Sequence, residues 1–577
     1  MATTACLFEE EVTVSEGIVR VLEDAGIDMV FGIAGGNMGR LYYSLYDHQS
    51  TIRTVLVRHE QLASVMAEVY GRLTGRPGVA IGQGAFVLAN ALLGTLEAHM
   101  GSSPMLLLTD LSDQAPFSHH FPYQGGTGEY GTFDTGQALD AVTKYTVVSH
   151  AAVQAVQNTQ LAIKHAVSGE QGPVAAIYHG AAFGGNVGPQ SVPAIYPMSR
   201  YLPPKSAGDA DSVAAAADIL LAARCPVIIA GNGVRLSQAY GQLLHLAELV
   251  GAPVATTASG KGVFAETHEL ALGTCGNFGQ SAANTFIGQA DMVLAVGTRL
   301  GPTDTANENP KLIDPARQDI VQIDVESKNA SSAFPAKAVV VGDAGLVLDS
   351  LAATVLARGK LSEQVLAQRR QRVHDIREQA GFFSDPGYDS EESPVLPQRL
   401  IREIHKAVGD DAMICCDAGE NRLFMTHYFQ TKAPGTLLMP GIGAMGYAVP
   451  AAMACKLVHP DRPALAVSGD GGFGMALNGL MTARDENIPI GVVIMNNSAL
   501  GWVKHGQGNR VLASEFTEMN YADIARAMGC QGIRVESPEA LPGALATALE
   551  GKAPTVIDVV TSFRTSFRDV TSPLTRR

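Results

Sequence analysis

The sequence predicts an α/β protein of three domains, each a mostly parallel sheet flanked by helices, and three observations predict it. Short apolar runs alternate with amphipathic helical stretches almost from end to end, the pattern of parallel sheets covered on both faces. Two irregular tracts break that alternation, "GPQSVPAIYPMSRYLPPKS" at 188–206 and "FSDPGYDSEESPVLP" at 383–397. The chain of 577 residues also exceeds what one hydrophobic core organises. The domains drawn from these breaks are 1–187, 207–358 and 396–577.

In the first domain, "MVFGIAG" (29–35), "RTVLVRHE" (53–60), "GVAIGQG" (78–84), "MLLLTD" (105–110) and "VAAIYH" (174–179) read as strands, the earlier ones each leading into a helix. The second series is "PVIIAGNGV" (226–234), "PVATTAS" (253–259), "MVLAVGT" (292–298), "DIVQIDV" (319–325) and "AVVVGD" (338–343). The charged segment 360–380 reads as an exposed helix. The third series runs through "AMICCDAG" (412–419), "ALAVSGDG" (464–471), "IGVVIMNN" (490–497) and "PTVIDVV" (554–560).

A hydrophobic content of 46% with 17% charged residues fits a soluble globular enzyme. The net charge of −15, with no concentrated basic stretch, argues against a nucleic-acid or anionic-membrane partner, because nothing supplies the charge that neutralises phosphate. Seven cysteines without CxxC or zinc spacing read as reduced thiols. The acidic N-terminus lacks an apolar signal core, and no apolar run has the length of a membrane helix, so a cytoplasmic location is expected.

In open parallel sheets, ligands bind beyond the carboxyl ends of the strands. Asp470 and Asn497 fall at such ends, separated by one strand–helix–strand excursion, so neighbouring strand ends can set both oxygens around one point. A carboxylate with an amide oxygen suits a hard divalent cation that keeps water and substrate phosphates. Gly469, Gly471, Gly472 and Gly474 let backbone approach a phosphate at a helix start. The plainer alternative is a tight strand–helix turn with an aspartate cap.

GDG followed at this interval by NN resembles the signature of thiamine-diphosphate-dependent enzymes. The three-domain order resembles, over essentially the whole chain, the acetolactate synthase and 2-oxoacid decarboxylase group. The resemblance implies that Asp470, Asn497 and the carbonyl of Ala499 hold a Mg²⁺, which binds the diphosphate of thiamine diphosphate. The glycines of the turn with Leu500 and Gly501 would line the cofactor, joined by Gly419, Glu420 and Asn421 of "CDAGENR". Glu60 matches the carboxylate that hydrogen-bonds the aminopyrimidine ring and favours the tautomer able to take the C2 proton. Without that resemblance, Glu60 reads as a helix-start carboxylate. "GIGAMGYAVPAA" (441–452) matches the turn that bends the cofactor, with Met445 as the apolar wedge and the Gly443 carbonyl as acceptor for the 4′-amine. Such enzymes bind the pyrimidine with one subunit and the diphosphate with another, which implies a homodimer at least, with a tetramer as the larger assembly.

The family makes a carbanion-like adduct, usually by decarboxylating a 2-oxoacid, and diverges in what captures it. Simple pyruvate decarboxylases carry an acid where this chain has Gly36, and a glutamate where it has Val503. Both absences favour a carboligase resembling acetolactate synthase. His119 and His120 in "FSHHFPY", near the decarboxylases' His pair, and "GQGAF" (82–86) favour the alternative, a non-ligating 2-oxoacid decarboxylase. The synthases' phenylalanine–glutamine pair aligns near Tyr130-Gly131, without its glutamine. Arg299 in "VGTRL" matches an arginine the synthases use near the acceptor, although "LGP" replaces the acids that follow it there. Gly506 stands where those synthases carry a tryptophan. A third class, a non-catalytic binding protein of the same fold, is opposed by intact Glu60, Asp470 and Asn497. The central domain has a lone GxG in "AGNGV" and Asp324 at a strand end, and resembling enzymes hold FAD or ADP there.

Overall fold

The computed structural model describes residues 6–111, 124–129 and 131–575. Three six-stranded parallel sheets organise them, and the apolar runs of the sequence form their strands. The first sheet has the order Arg53–Leu56, Met29–Gly32, Gly78–Ile81, Met105–Leu111, Pro173–His179, Tyr145–Ser149. The second runs Ala271–Thr274, Val254–Thr256, Pro226–Ala230, Met292–Val296, Asp319–Asp324, Ala338–Val341. The third runs Leu437–Leu438, Met413–Cys416, Ala464–Gly469, Gly491–Asn496, Thr555–Val560, Gln531–Val535. An antiparallel pair, Val12–Thr13 with Asn186–Val187, ties the two ends of the first domain together.

The central strands are apolar on both faces because helices cover both, as in Pro226–Ala230 and Gly491–Asn496, where every residue is buried. Each fully buried Val, Leu or Ile there contributes roughly 1.5–3 kcal/mol. Four strands of the three large sheets escape the sequence reading, Tyr145–Ser149, Ala271–Thr274, Leu437–Leu438 and Gln531–Val535, each on a sheet edge, as does the antiparallel pair. The helix expected to be exposed, Glu363–Ala380, buries one stripe, Leu366, Arg369, Val373 and Ile376. Spacings of three and four residues put these four on one face, which the charged average conceals.

The chain forms two compact units, Met1–Pro204 with Met453–Val458 and Met481–Ile488, and Lys205–Ala452 with His459–Leu480 and Pro489–Arg577. The first sheet lies in the former and the other two in the latter. All seven cysteines are free; Cys6 is half-buried and the other six are buried. Burial pushes the Cys225 and Cys275 thiols up, and that of Cys416 to about 12. Among the described residues, no helix is long and apolar enough to cross a membrane.

Candidate active site

Strand order in the third sheet locates the site. Met413–Cys416 is followed in the chain by Leu437–Leu438 on one side, while Ala464–Gly469 lies on its other side. Chain direction across the sheet reverses there, and the crevice beyond such a reversal is where open α/β sheets take ligands. The two loops leaving that crevice carry Asp417 and Asp470.

Asp470 is almost fully buried, and burial lifts its carboxyl to about 6. Its Oδ1 accepts from the Gly471 N–H at 2.9 Å and its Oδ2 from the Ala499 N–H at 3.2 Å. The same Ala499 N–H reaches Asn497 Oδ1, also at 3.2 Å. The two halves of the asparagine pair divide the work. Asn496 donates to Asp558 Oδ1 at 2.9 Å and to the Met519 carbonyl at 3.0 Å, fixing the strand end, while Asn497 turns toward Asp470. Among the described residues, no group of three His, Cys, Asp or Glu side chains could hold a metal. One carboxylate with an amide and a carbonyl lies outside that pattern and suits Mg²⁺.

A cavity of about 410 Å³ opens beside these oxygens. It brings together most of the third-domain residues singled out in the sequence: Gly419, Glu420 and Asn421, Gly443 and Met445, Gly469 to Gly472, Asn497, Ala499, Leu500 and Gly501, and Val503; Gly474 and Gly506 are not on its wall. The glycines are required by space. A Cβ on Gly472 would stand 2.6 Å from Asp417 Oδ2, and one on Gly501 2.6 Å from Glu420 Oε2. A Cβ on Gly471 would meet Leu500 at 3.0 Å and the Met445 methyl at 3.2 Å. Backbone-walled on one side and closed by the Met445 thioether on another, the cavity fits a diphosphate-bearing cofactor with an apolar ring.

Two residues behind the cavity carry more of the geometry than the sequence discloses. Asp417, buried, accepts from the Ala418 N–H (2.9 Å), the Tyr447 N–H (3.3 Å), the Gly446 N–H (3.1 Å) and the Ser468 hydroxyl (2.7 Å). It thereby ties the Met445 turn to the strand ends on both sides of the crevice, and burial raises its carboxyl to about 6. His505 lies 2.8 Å through Nδ1 from Glu420 Oε1, and its Nε2–H donates to the Phe563 carbonyl at 3.0 Å. Glu420 Oε1 also accepts from the Phe567 N–H at 2.7 Å, and burial holds this carboxyl above the usual range. His505 thereby links Glu420, on the cavity wall, to the Phe563 backbone.

In the first unit, Glu60 begins the helix Glu60–Thr74 beyond strand Arg53–Leu56 and is buried. Its Oε2 accepts from Asn90 Nδ2 at 2.8 Å, a partner that the stretch "GQGAFVLAN" holds without announcing it. Tyr42, whose phenol is pushed up by burial and by the Glu60 charge, keeps a buried Oη with no hydrogen-bond partner among the described residues. A buried carboxylate and an unanswered phenol fit a polar ring such as an aminopyrimidine. Gly36 adopts φ +54°, and a Cβ there would stand 2.9 Å from Asp110 Oδ2. Asp110 in turn accepts from the Asn37 N–H at 2.9 Å and the Gly84 N–H at 3.0 Å, which fixes both turns. His119, His120 and Tyr130 lie outside the described residues.

The central domain behaves differently from its motifs. Gly231 and Gly233 serve close packing: a Cβ on either would meet Gly297 backbone, at 2.2 and 2.6 Å. Asp324 is engaged by the Glu326 N–H at 3.0 Å and Asn329 Nδ2 at 3.3 Å. Arg299 is exposed, faces the Asp324 charge and is not among the residues lining the cavity.

Comparison with known proteins places this geometry. Residues 12–126 match the N-terminal TPP binding domain of thiamine pyrophosphate enzymes, 213–351 their central domain and 417–559 their C-terminal TPP binding domain. The chain is 30% identical to a probable acetolactate synthase large subunit of Methanocaldococcus jannaschii, covering 95% of this chain and 91% of that protein. It is 31% identical to the acetolactate synthase large subunit of Corynebacterium glutamicum, over 96% and 87%. Against the sulfoacetaldehyde acetyltransferase of Castellaniella defragrans it is 28% identical, over 96% and 93%. With the switch-point crevice, the glycine cradle and all three domain matches in chain order, the protein belongs to the thiamine pyrophosphate enzyme family, as an enzyme of the acetolactate synthase type.

Proposed function

We propose that the enzyme joins the acyl carbon of a decarboxylated 2-oxoacid, such as pyruvate, to a carbonyl acceptor. One observation carries ligation over simple decarboxylation: neither position for a proton-donating acid holds one. Gly36 has no room for a side chain beside Asp110, and Val503 stands on the cavity wall. Where no acid quenches the nucleophilic carbon, a second carbonyl captures it.

Thiamine diphosphate, when bound, supplies the acidic carbon that adds to the 2-oxoacid and holds the electron pair released with CO₂. Asp470, Asn497 and the Ala499 carbonyl would hold Mg²⁺, and Gly469, Gly471 and Gly472 would leave backbone free to approach the diphosphate. Met445 would form the apolar wedge that bends the cofactor, the Gly443 carbonyl would accept from its 4′-amine, and Glu60 would hydrogen-bond its aminopyrimidine ring and hold a proton there. In the net reaction the bond to the departing CO₂ supplies the electron pair of the new carbon–carbon bond, and the acceptor oxygen takes up one proton. The reading includes a homodimer, or a tetramer built from it, in which Glu60 of one copy serves the cavity of another. That part rests on the family resemblance, whereas a cytoplasmic location rests on the acidic N-terminus, the thiols without pairing motifs and the lack of a membrane-length apolar run. FAD or ADP in the central domain is decided by the absorbance spectrum and nucleotide content of the purified protein.

The test supplies thiamine diphosphate, Mg²⁺ and pyruvate, alone and with carbonyl acceptors, and identifies products by chromatography. Acetolactate or an acyloin is expected. Free acetaldehyde alone would transfer the assignment to a non-ligating decarboxylase.

A further inference from the structure

The second sheet has a switch point of its own. From Pro226–Ala230 the chain passes to Val254–Thr256 on one side and later to Met292–Val296 on the other. The crevice for a dinucleotide therefore opens beyond Ala230 and Val296. Backbone closes it. The Gly231 N–H donates to the Val296 carbonyl at 2.9 Å, and the Gly233 N–H to the Gly297 carbonyl at 3.0 Å. Amides at such a helix start are what a diphosphate takes, and here the protein's own carbonyls hold them. The helix that follows, Asn232–Leu236, is only five residues long.

The loop leaving Met292–Val296 covers the rest of the sheet end. Residues 301–309 form a strap that reaches back past Val254–Thr256 and Ala271–Thr274. Asp304 Oδ1 accepts from the Ala258 N–H at 3.0 Å, and the Thr303 carbonyl from the Asn277 N–H at 2.8 Å. A Cβ on Gly276, which adopts φ +90°, would stand 2.1 Å from that same carbonyl. The strap has its own internal frame. Thr305, fully buried, donates to the Gly301 carbonyl at 3.0 Å and accepts from the Glu308 N–H at 3.1 Å. Asn309 Nδ2 anchors the far end to the Leu574 carbonyl at 2.9 Å. Ala306, Asn307 and Glu308 hold left-handed backbone, at φ +54°, +59° and +56°. Residues other than glycine keep that conformation where their surroundings fix it.

We propose that this strap is the permanent occupant of the crevice, with the Asp304 carboxylate as the chain's own anion, so that the central domain takes neither FAD nor ADP. A diphosphate entering there would have to break backbone hydrogen bonds on one side and lie against a carboxylate on the other. Asp324, the acid placed to reach a ribose, is taken up by the Glu326 N–H and Asn329 Nδ2 of its own turn. None of this depends on whether a carbonyl or a proton captures the carbanion in the other cavity.

The test dialyses the full chain, with thiamine diphosphate and Mg²⁺ present, against FAD and against ADP. It also measures any nucleotide released when the purified protein is denatured. Occupancy below about one tenth at roughly 100 µM of either ligand is expected, which is a dissociation constant above about 1 mM. Higher occupancy by either, or nucleotide retained through purification, overturns the proposal. Amide hydrogen exchange on the same sample reads the strap itself. The Ala258 and Asn277 amides should exchange as slowly as those of the strands they follow, and fast exchange at either overturns the proposal. Asp304→Ala should speed exchange at Ala258 by roughly 10-fold. An unchanged Ala258 rate overturns the role given to Asp304.

Discussion

The carboxylate of Asp470 and the amide oxygen of Asn497 converge on a single backbone N–H, that of Ala499, at 3.2 Å each. Two acceptors sharing one donor leave unsatisfied lone pairs pointing to a common place, which a divalent cation would answer. Removing one acceptor should therefore remove the metal. Asp470→Ala is expected to weaken Mg²⁺ binding by more than about 100-fold, since changes outside the ligand set alone cost roughly 10–100-fold. Equilibrium dialysis with thiamine diphosphate reads this directly, and undiminished metal retention would remove Asp470 from the site.

Asn90 Nδ2 donates to Glu60 Oε2 at 2.8 Å, and a bond to a charged group contributes about 1.5–3 kcal/mol. Glu60→Gln should nearly abolish exchange of the cofactor's C2 proton for deuterium. Asn90→Ala should slow it by roughly 10-fold, through a misplaced carboxylate. Nuclear magnetic resonance after quenched exchange separates the two, and an Asn90→Ala rate equal to the parent's would leave Asn90 without a positioning role.

Glycines two positions apart in sequence differ sharply in consequence. A Cβ on Gly472 meets Asp417 Oδ2 at 2.6 Å and Ser468 Oγ at 3.0 Å, whereas one on Gly474 meets nothing within 4 Å. Gly472→Ala should cost about 1–3 kcal/mol and loosen the Met445 turn. Gly474→Ala, in the short helix Asp470–Met475, should stabilise by about 0.5–1 kcal/mol. Urea unfolding of the two variants distinguishes them, and similar midpoints would mean that Asp417 yields easily.

Asp417 also sets a pH dependence whose sign is fixed. Its carboxyl stands at about 6 against an ordinary 3.8, so between those values the folded chain binds more protons than the unfolded one. This contribution to stability is full below pH 3.8 and is lost as pH rises through about 6. His427, lowered by burial to about 4 from 6.5, has the opposite sign: its contribution is present above 6.5 and lost as pH falls through about 4. Asp417→Asn removes only the first. Stability measured from pH 4 to 6 should then climb more steeply than in the parent, by up to about 1.4 kcal/mol per pH unit. Parallel slopes would show that Asp417 does not titrate in this range.

The sequence discloses residues whose chemistry depends on local backbone. Asp470, Asn497 and Glu60 each stand at the end of an apolar run, and a strand end followed by a turn positions a side chain by itself. Asp417 and Asn90 are illegible for the opposite reason. Asp417 takes its meaning from donors at Gly446, Tyr447 and Ser468, and Asn90 from a helix that packs thirty residues after Glu60. Only the crossovers bring such partners together. The missed strands follow the same logic, because edges such as Tyr145–Ser149, mostly half-buried, and Leu437–Leu438, two residues long, lack the continuous apolar signal of the interior.

The burial of six of the seven thiols turns the chain into its own gauge of opening. In the closed protein only Cys6 presents sulfur to a maleimide or disulfide reagent, while burial keeps Cys225, Cys275 and Cys416 protonated as well as hidden. Each further sulfur that reacts records a fluctuation exposing one named strand or loop, Cys416 that beside the crevice and Cys275 that after Ala271–Thr274. Mass spectrometry of briefly alkylated protein would thus rank the breathing of separate regions, from one sample and without any engineered label.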